Sequence, residues 1–85
     1  MASSMIIATI PRNSREVVQV ALAEVGDSKR IDIRIAAELT KTSGIFIATK
    51  KGAALDIAHL PALISALIQA DFKAKELGWI GSVHE

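Results

Sequence analysis

The hydrophobic pattern of the chain changes period once, near residue 56, and the change separates a strand-rich part from a helix. Ile31, Ile33 and Ile35 alternate with Asp32, Arg34 and Ala36. That period of two turns one side of a strand toward a core and the other toward water. The same rule runs from Glu16 to Glu24, where Val18, Val20 and Leu22 share one side and Val17, Gln19, Ala21 and Ala23 the other. The alanines there keep a helix open as an alternative. Gly26-Asp27-Ser28 is a turn cluster between these two segments. After a polar hairpin connection from Thr40 to Gly44, Ile45 to Thr49 reads as another strand, with Ile45 and Ile47 opposite Phe46 and Ala48. Lys50-Lys51-Gly52 then makes a basic bend, and Ala53 to Leu55 pairs briefly. Residues 1–10 read as an edge strand or a mobile arm, because Pro11 lacks the N–H that a paired inner strand needs.

Beyond Asp56, Leu60, Leu63, Ile64, Leu67 and Ile68 fall at helical spacing and form one stripe. Asp56 is placed to cap the start, and Pro61 is tolerated only in a first turn, so the helix begins near Ala58. Gly78 ends it, after Lys73 and Lys75 in the turns where cations suit the helix dipole. Trp79 and Ile80 then pack back onto the sheet or onto a partner subunit. Strands followed by one helix predict an α+β fold, the helix covering one face of the sheet and the other face left open.

Composition sharpens this picture. The 85 residues suffice for one domain, 1–85, with 81–85 as a tail. Hydrophobic residues make up 51% of the chain and there is no cysteine. Surplus apolar surface on so short a chain with no disulfide predicts burial against a second copy, most simply a homodimer. The lack of cysteine excludes disulfides, thiolate metal sites and cysteine nucleophiles, and fits a cytoplasmic location. No apolar run reaches the length of a membrane span, and Met1 to Ile10 lacks the basic start and apolar length of a signal peptide. Net charge is only +1, but it is unevenly spread. Met5 to Gly52 holds eight basic and five acidic residues, and the chain from Ala53 onward holds two basic and four acidic.

Candidate chemistry is sparse. His59 and His84 are the only histidines, too few and too far apart for a metal site. Ser65, His59 and Asp56 name the members of a triad, yet all lie in or beside one helix, with nothing to form an oxyanion hole. His59 reads as a surface residue at the helix start. No Walker loop and no dinucleotide-binding glycine pattern is present. The expectation is a protein that is not an enzyme and takes no metal or cofactor. The basic residues offer more. Arg34 and Arg30 share the strand face opposite the isoleucines, and Lys50 and Lys51 stand at the next strand's bend. Cations on an open sheet are the electrostatic half of a groove for single-stranded nucleic acid; the other half is aromatic, and Phe46 is the only aromatic on the strands. Read by spacing alone, the same residues also suit an ordinary solvated strand face.

A succession of short motifs adds to this reading: Asn13-Ser14-Arg15-Glu16 leading into a strand, then Ile31-Asp32-Ile33-Arg34, a hairpin, Thr49-Lys50-Lys51-Gly52, and Leu60-Pro61-Ala62-Leu63-Ile64-Ser65-Ala66-Leu67. In this order they resemble the DNA-binding domain of the positive cofactor four family of transcriptional coactivators, particularly its bacterial members, over roughly Ile10 to Ala70. The resemblance implies a curved four-stranded antiparallel sheet followed by one C-terminal helix, paired into a homodimer. It implies binding of single-stranded or melted DNA on the sheet side without strong sequence preference, with the choice between DNA and RNA left open, and contact with the transcription machinery. It maps the family's basic groove onto Arg34, Lys50 and Lys51, which Arg30 and Lys41 extend on charge and position. Phe46 is then a candidate stacker, and Gly52 is the glycine of the bend. The chain departs from the pattern where the family carries a stacking aromatic after the Arg: Ile35, Ala36 and Ala37 stand there. That departure motivates an alternative, a dimeric protein-interaction scaffold of the same fold with a degraded nucleic-acid site.

Overall fold

The structure is a computed structural model, and it describes residues 2–40 and 44–81. Four strands, β1 (Ala2–Pro11), β2 (Glu16–Val25), β3 (Ser28–Glu38) and β4 (Phe46–Asp56), form one sheet in the order β1-β2-β3-β4, every neighbouring pair antiparallel. A 3₁₀ turn, Ile57–His59, leads into the helix α1, Leu60–Glu76. The expected sheet-then-helix order is therefore present, and the segment from Glu16 is strand, its cross-strand partners deciding against the helix that its alanines allow.

Local chemistry sets each connection. Asn13 folds the β1–β2 link: its Oδ1 accepts from the backbone N–H of Arg15 and of Glu16, both at 2.9 Å, the Asx turn this residue type favours. Asn13 Nδ2 and Arg12 Nη1 also donate to Glu16 Oε1, at 2.9 and 2.8 Å. Between β2 and β3, Val25 pairs with Ser28, leaving Gly26-Asp27 as a two-residue loop. Gly26 has φ 60° and, among the described residues, no non-glycine residue has positive φ, so the loop is a type II′ hairpin turn. Leu39 N–H donates to Ile45 O at 2.7 Å and Gly44 N–H to the Glu38 carboxylate at 2.8 Å, closing the β3–β4 connection.

Register assigns the two faces. Val18, Val20 and Leu22 stand opposite Ile35, Ile33 and Ile31, and Ile33 and Ile31 in turn stand opposite Ala53 and Leu55. Residues directly opposite across an antiparallel pair share a face, so this face is apolar from β1 (Met5, Ile10) to β4 (Leu55). The other face carries Gln19, Ala21 and Ala23 against Arg34, Asp32 and Arg30.

One expectation fails. α1 does not cover the apolar face of its own sheet: none of its residues is buried, and among the described residues only Val17, Ile31 and Ala36 are buried at all. Ile64, Leu67, Ile68 and Phe72 are all about half or more exposed, and Trp79 is 77% exposed and so is not buried against the sheet. The reason is connectivity. The helix leaves an edge strand through a link of only three residues, and Asp56 fixes the exit by accepting the Ala58 N–H at 2.9 Å. The chain's radius of gyration is 15.3 Å, against about 12 Å for a compact domain of this length. The helix ends as read: Gly78, with φ 77°, donates to Lys75 O at 3.0 Å and Trp79 N–H to Ala74 O at 2.8 Å.

Candidate nucleic-acid interface

The basic bend expected at Lys50-Lys51-Gly52 is a bulge inside one continuous strand. On β3, Arg34 and Ala36 are two residues apart; their partners on β4, Gly52 and Ala48, are four apart. Thr49, Lys50 and Lys51 therefore stand opposite the single residue Ile35, and the strand bows outward there. Thr49 ties the bulge down. Its hydroxyl donates to Ile35 O at 2.8 Å and accepts the Lys51 N–H at 3.1 Å, so one side chain serves the backbone on both sides of the gap.

Gly52 closes the bulge with φ 149°. A Cβ at this position would lie 2.2 Å from Ile33 O and 2.8 Å from Arg34 Cα, so only glycine fits. The missing side chain is what lets Arg34 lie across β4. Its Nη1 donates to Lys50 O at 3.4 Å, a long bond, and its Nε sits 2.8 Å from Asp32 Oδ1. That second contact is an ion pair without hydrogen-bond alignment, because Asp32 Oδ1 is buried and accepts no hydrogen bond. Arg34 is thus held on two sides by groups of its own face, with its side chain still 30% exposed.

Arg30, Arg34 and Phe46 share this face, Phe46 by its register opposite Glu38. They do not touch. Arg30 lies four residues from Arg34 and Glu38 four residues the other way, so the three side chains span about 26 Å of strand at 3.3 Å per residue. Small residues flank Arg34: Ala36 and Ala48 toward Phe46, Gly52 directly opposite, and Ala54 across from Asp32 toward Arg30. Lys50, whose carbonyl oxygen Arg34 reaches, and Lys51 are both exposed. Lys51 also faces an acid. The Glu16 carboxyl is held below its ordinary value, first by the Asn13 hydrogen bond and then by the charges of Arg12 and Lys51. Lys41 lies outside the described residues.

Two contributors escaped the sequence reading. Asp32 sits two residues before Arg34, the spacing that puts both on one strand face, and that spacing is the signal that could have revealed the pair. Thr49 carried a weaker signal, a hydroxyl residue just ahead of two lysines and a glycine. His59 is exposed at the N-terminus of α1 and makes no side-chain cap, and the described residues contain no cluster of three or more acids and histidines that could hold a metal.

No protein-family model matches the chain, and no curated protein matches it. Two solved structures share its fold, both of BPSL1147, a PC4 homolog from Burkholderia pseudomallei. The orthorhombic crystal form superposes with a TM-score of 0.72 at 19% identity, covering 81% of this chain and 90% of that one. The tetragonal form gives 0.70 at 19% identity, covering 81% and 98%. At that identity the likeness defines the fold class: an antiparallel four-stranded sheet followed by one helix, shared with a PC4 homolog.

Proposed function

We propose that the chain is a dimeric binding protein that holds the sugar–phosphate backbone of single-stranded or melted DNA and acts in transcription as a coactivator or regulator. The observation that carries the proposal is the β4 bulge, which exposes two lysines on the strand next to Arg34's, in a sheet whose Arg30 and Arg34 share the face opposite the isoleucines. Exposed cations along a shallow floor of alanine and glycine suit a phosphate chain, which approaches closely where side chains are small. Arg34, Lys50 and Lys51 are the central contacts, Arg30 and Lys41 extend them, and Phe46 is the one aromatic available to stack. The resemblance to the positive cofactor four family and the fold shared with a PC4 homolog support the same reading. The dimer is proposed because the stripe of α1 and the apolar sheet face remain open in a single chain.

A second reading has its own support. Asp32 against Arg34 and Glu16 within reach of Lys51 offset part of the positive charge, and Ile35, Ala36 and Ala37 supply no ring for a base. A protein-interaction scaffold of the same fold fits these features.

Titration of a fluorescent oligo-dT at several salt concentrations separates the two. On the nucleic-acid reading, log affinity falls with log salt by about 0.7 per phosphate contact, and Lys51→Ala flattens the slope by less than one unit. An absent or salt-independent signal at low salt overturns that reading in favour of the scaffold. Competition with oligo-U of equal length tells whether RNA shares the site.

A further inference from the structure

We propose that the outer edge of β1 is a second self-association surface, on which β1 of another copy pairs antiparallel about a twofold axis. The inference rests on the difference between the two edges of the sheet. From Ala2 to Pro11, β1 contains no Asp, Glu, Lys or Arg, and Met5, Ile6, Ile7 and Ile10 are each more than half exposed. Natural edge strands are blunted by charge, brevity, proline or bulges, because their unpaired N–H and C=O groups are a template for another strand. β1 is ten residues long and has its proline only at the last of them. Its one bulge falls between Ile6 and Ala8 and presents an isoleucine. The stretch Ser3 to Ile6 ahead of the bulge is in unbroken register with β2, so its outer side is straight enough to receive a strand.

A second copy is the occupant this strand suits. Twofold pairing sets a strand against itself, so any charge near the axis would meet its like; a strand without charge meets no such penalty. A twofold axis perpendicular to the sheet also keeps the faces in order. The Met5 and Ile10 sides of both copies continue one apolar surface, and both Arg34 sides continue the other. This interface differs from the helix-and-face contact proposed above and needs no nucleic acid.

The test is the assembly mass of the whole chain, measured by light scattering without nucleic acid. Ile6→Lys and Ile6→Glu, each at an exposed position, put like charges beside the axis. Wild type is expected to show about twice the mass of either variant, and an equimolar mixture of the two variants is expected to regain the wild-type mass, since opposite charges then face each other. Circular dichroism checks that both variants keep the sheet. Equal masses for wild type and variants, a wild-type mass of one chain or a polydisperse aggregate, or a loss that mixing does not restore would each overturn the proposal.

Discussion

The two edges of this sheet face the same physical problem and differ in how they meet it. β4 interrupts its ladder with the Thr49–Lys51 bulge and exposes two lysines there. β1 stays uncharged along its length. An edge that needs only to avoid aggregation is served by any charge, but the β4 bulge is also fixed in detail, by a threonine bonded to both sides and a glycine that no other residue can replace. The comparison teaches that the lysines are held in place by backbone architecture, whereas β1 is open to pairing by composition alone.

The most damaging way to break this contrast is at Gly52. Gly52→Val forces a Cβ into Ile33 O and Arg34 Cα, so β4 must leave its register with β3. A loss on the order of 3 kcal/mol is expected in urea unfolding, a combination of strained backbone and disrupted packing. Gly26→Ala is the control. Gly26 also has positive φ but has open space around it, so its cost is expected at about 1 kcal/mol. Equal losses at the two glycines would mean that conformation, not contact, makes Gly52 necessary, and Arg34 would lose the reason for its position.

A subtler change sharpens the contrast without moving the ladder. Thr49→Val keeps the side-chain shape but removes the hydroxyl that bonds Ile35 O and Lys51 N. Two exchanged hydrogen bonds at a part-buried position are expected to cost about 1–2 kcal/mol. Amide exchange at Lys51 should accelerate more than at Ala54, beyond the bulge. If both amides accelerate alike, the threonine is holding the whole strand and not the bulge.

How far these features were legible in the sequence follows from the range of the forces behind them. Alternation at Ile31 to Ile35 and the helical stripe from Leu60 to Ile68 were readable because each reflects local periodicity. The turn at Gly26 and the helix stop at Gly78 were readable because glycine's backbone freedom is a property of one residue. The β4 bulge was not. Lys-Lys-Gly looks like a chain reversal, and only the partners on β3 show that the strand resumes with Ala53 to Asp56 in the same ladder. The position of α1 failed for a related reason. A stripe of leucine and isoleucine says that a surface seeks cover; it does not say whether its own sheet or another chain provides it. At the site, parity put Arg30 and Arg34 on one face of their strand and Phe46 opposite Ile45 and Ile47 on another, and only the β3–β4 register joins the two. The Asp32–Arg34 pair depends on side-chain conformation, which parity does not encode.

The smallest expected effect lies at the acid that Lys51 reaches. Glu16 accepts from Asn13 Nδ2 and Arg12 Nη1, and its pKa is lowered from the ordinary 4.5 by that Asn13 bond first, with Arg12 and Lys51 adding charge. A carboxyl depressed in the folded state binds protons more readily when unfolded. Its stabilising contribution is therefore complete above the unfolded value and is lost as pH falls through 4.5 toward the folded value. The melting temperature of wild type should fall across that window, and Glu16→Gln should flatten the fall while lowering stability slightly at neutral pH. Lys51→Ala in the same series separates the two ends of the contact. If Lys51 serves mainly to hold the Asn13–Glu16 turn, its removal should flatten the acid limb as much as Glu16→Gln does. If the bulge presents Lys51 outward, as the proposed interface requires, the acid limb should change only slightly, because the Asn13 hydrogen bond remains the larger cause of the lowered pKa.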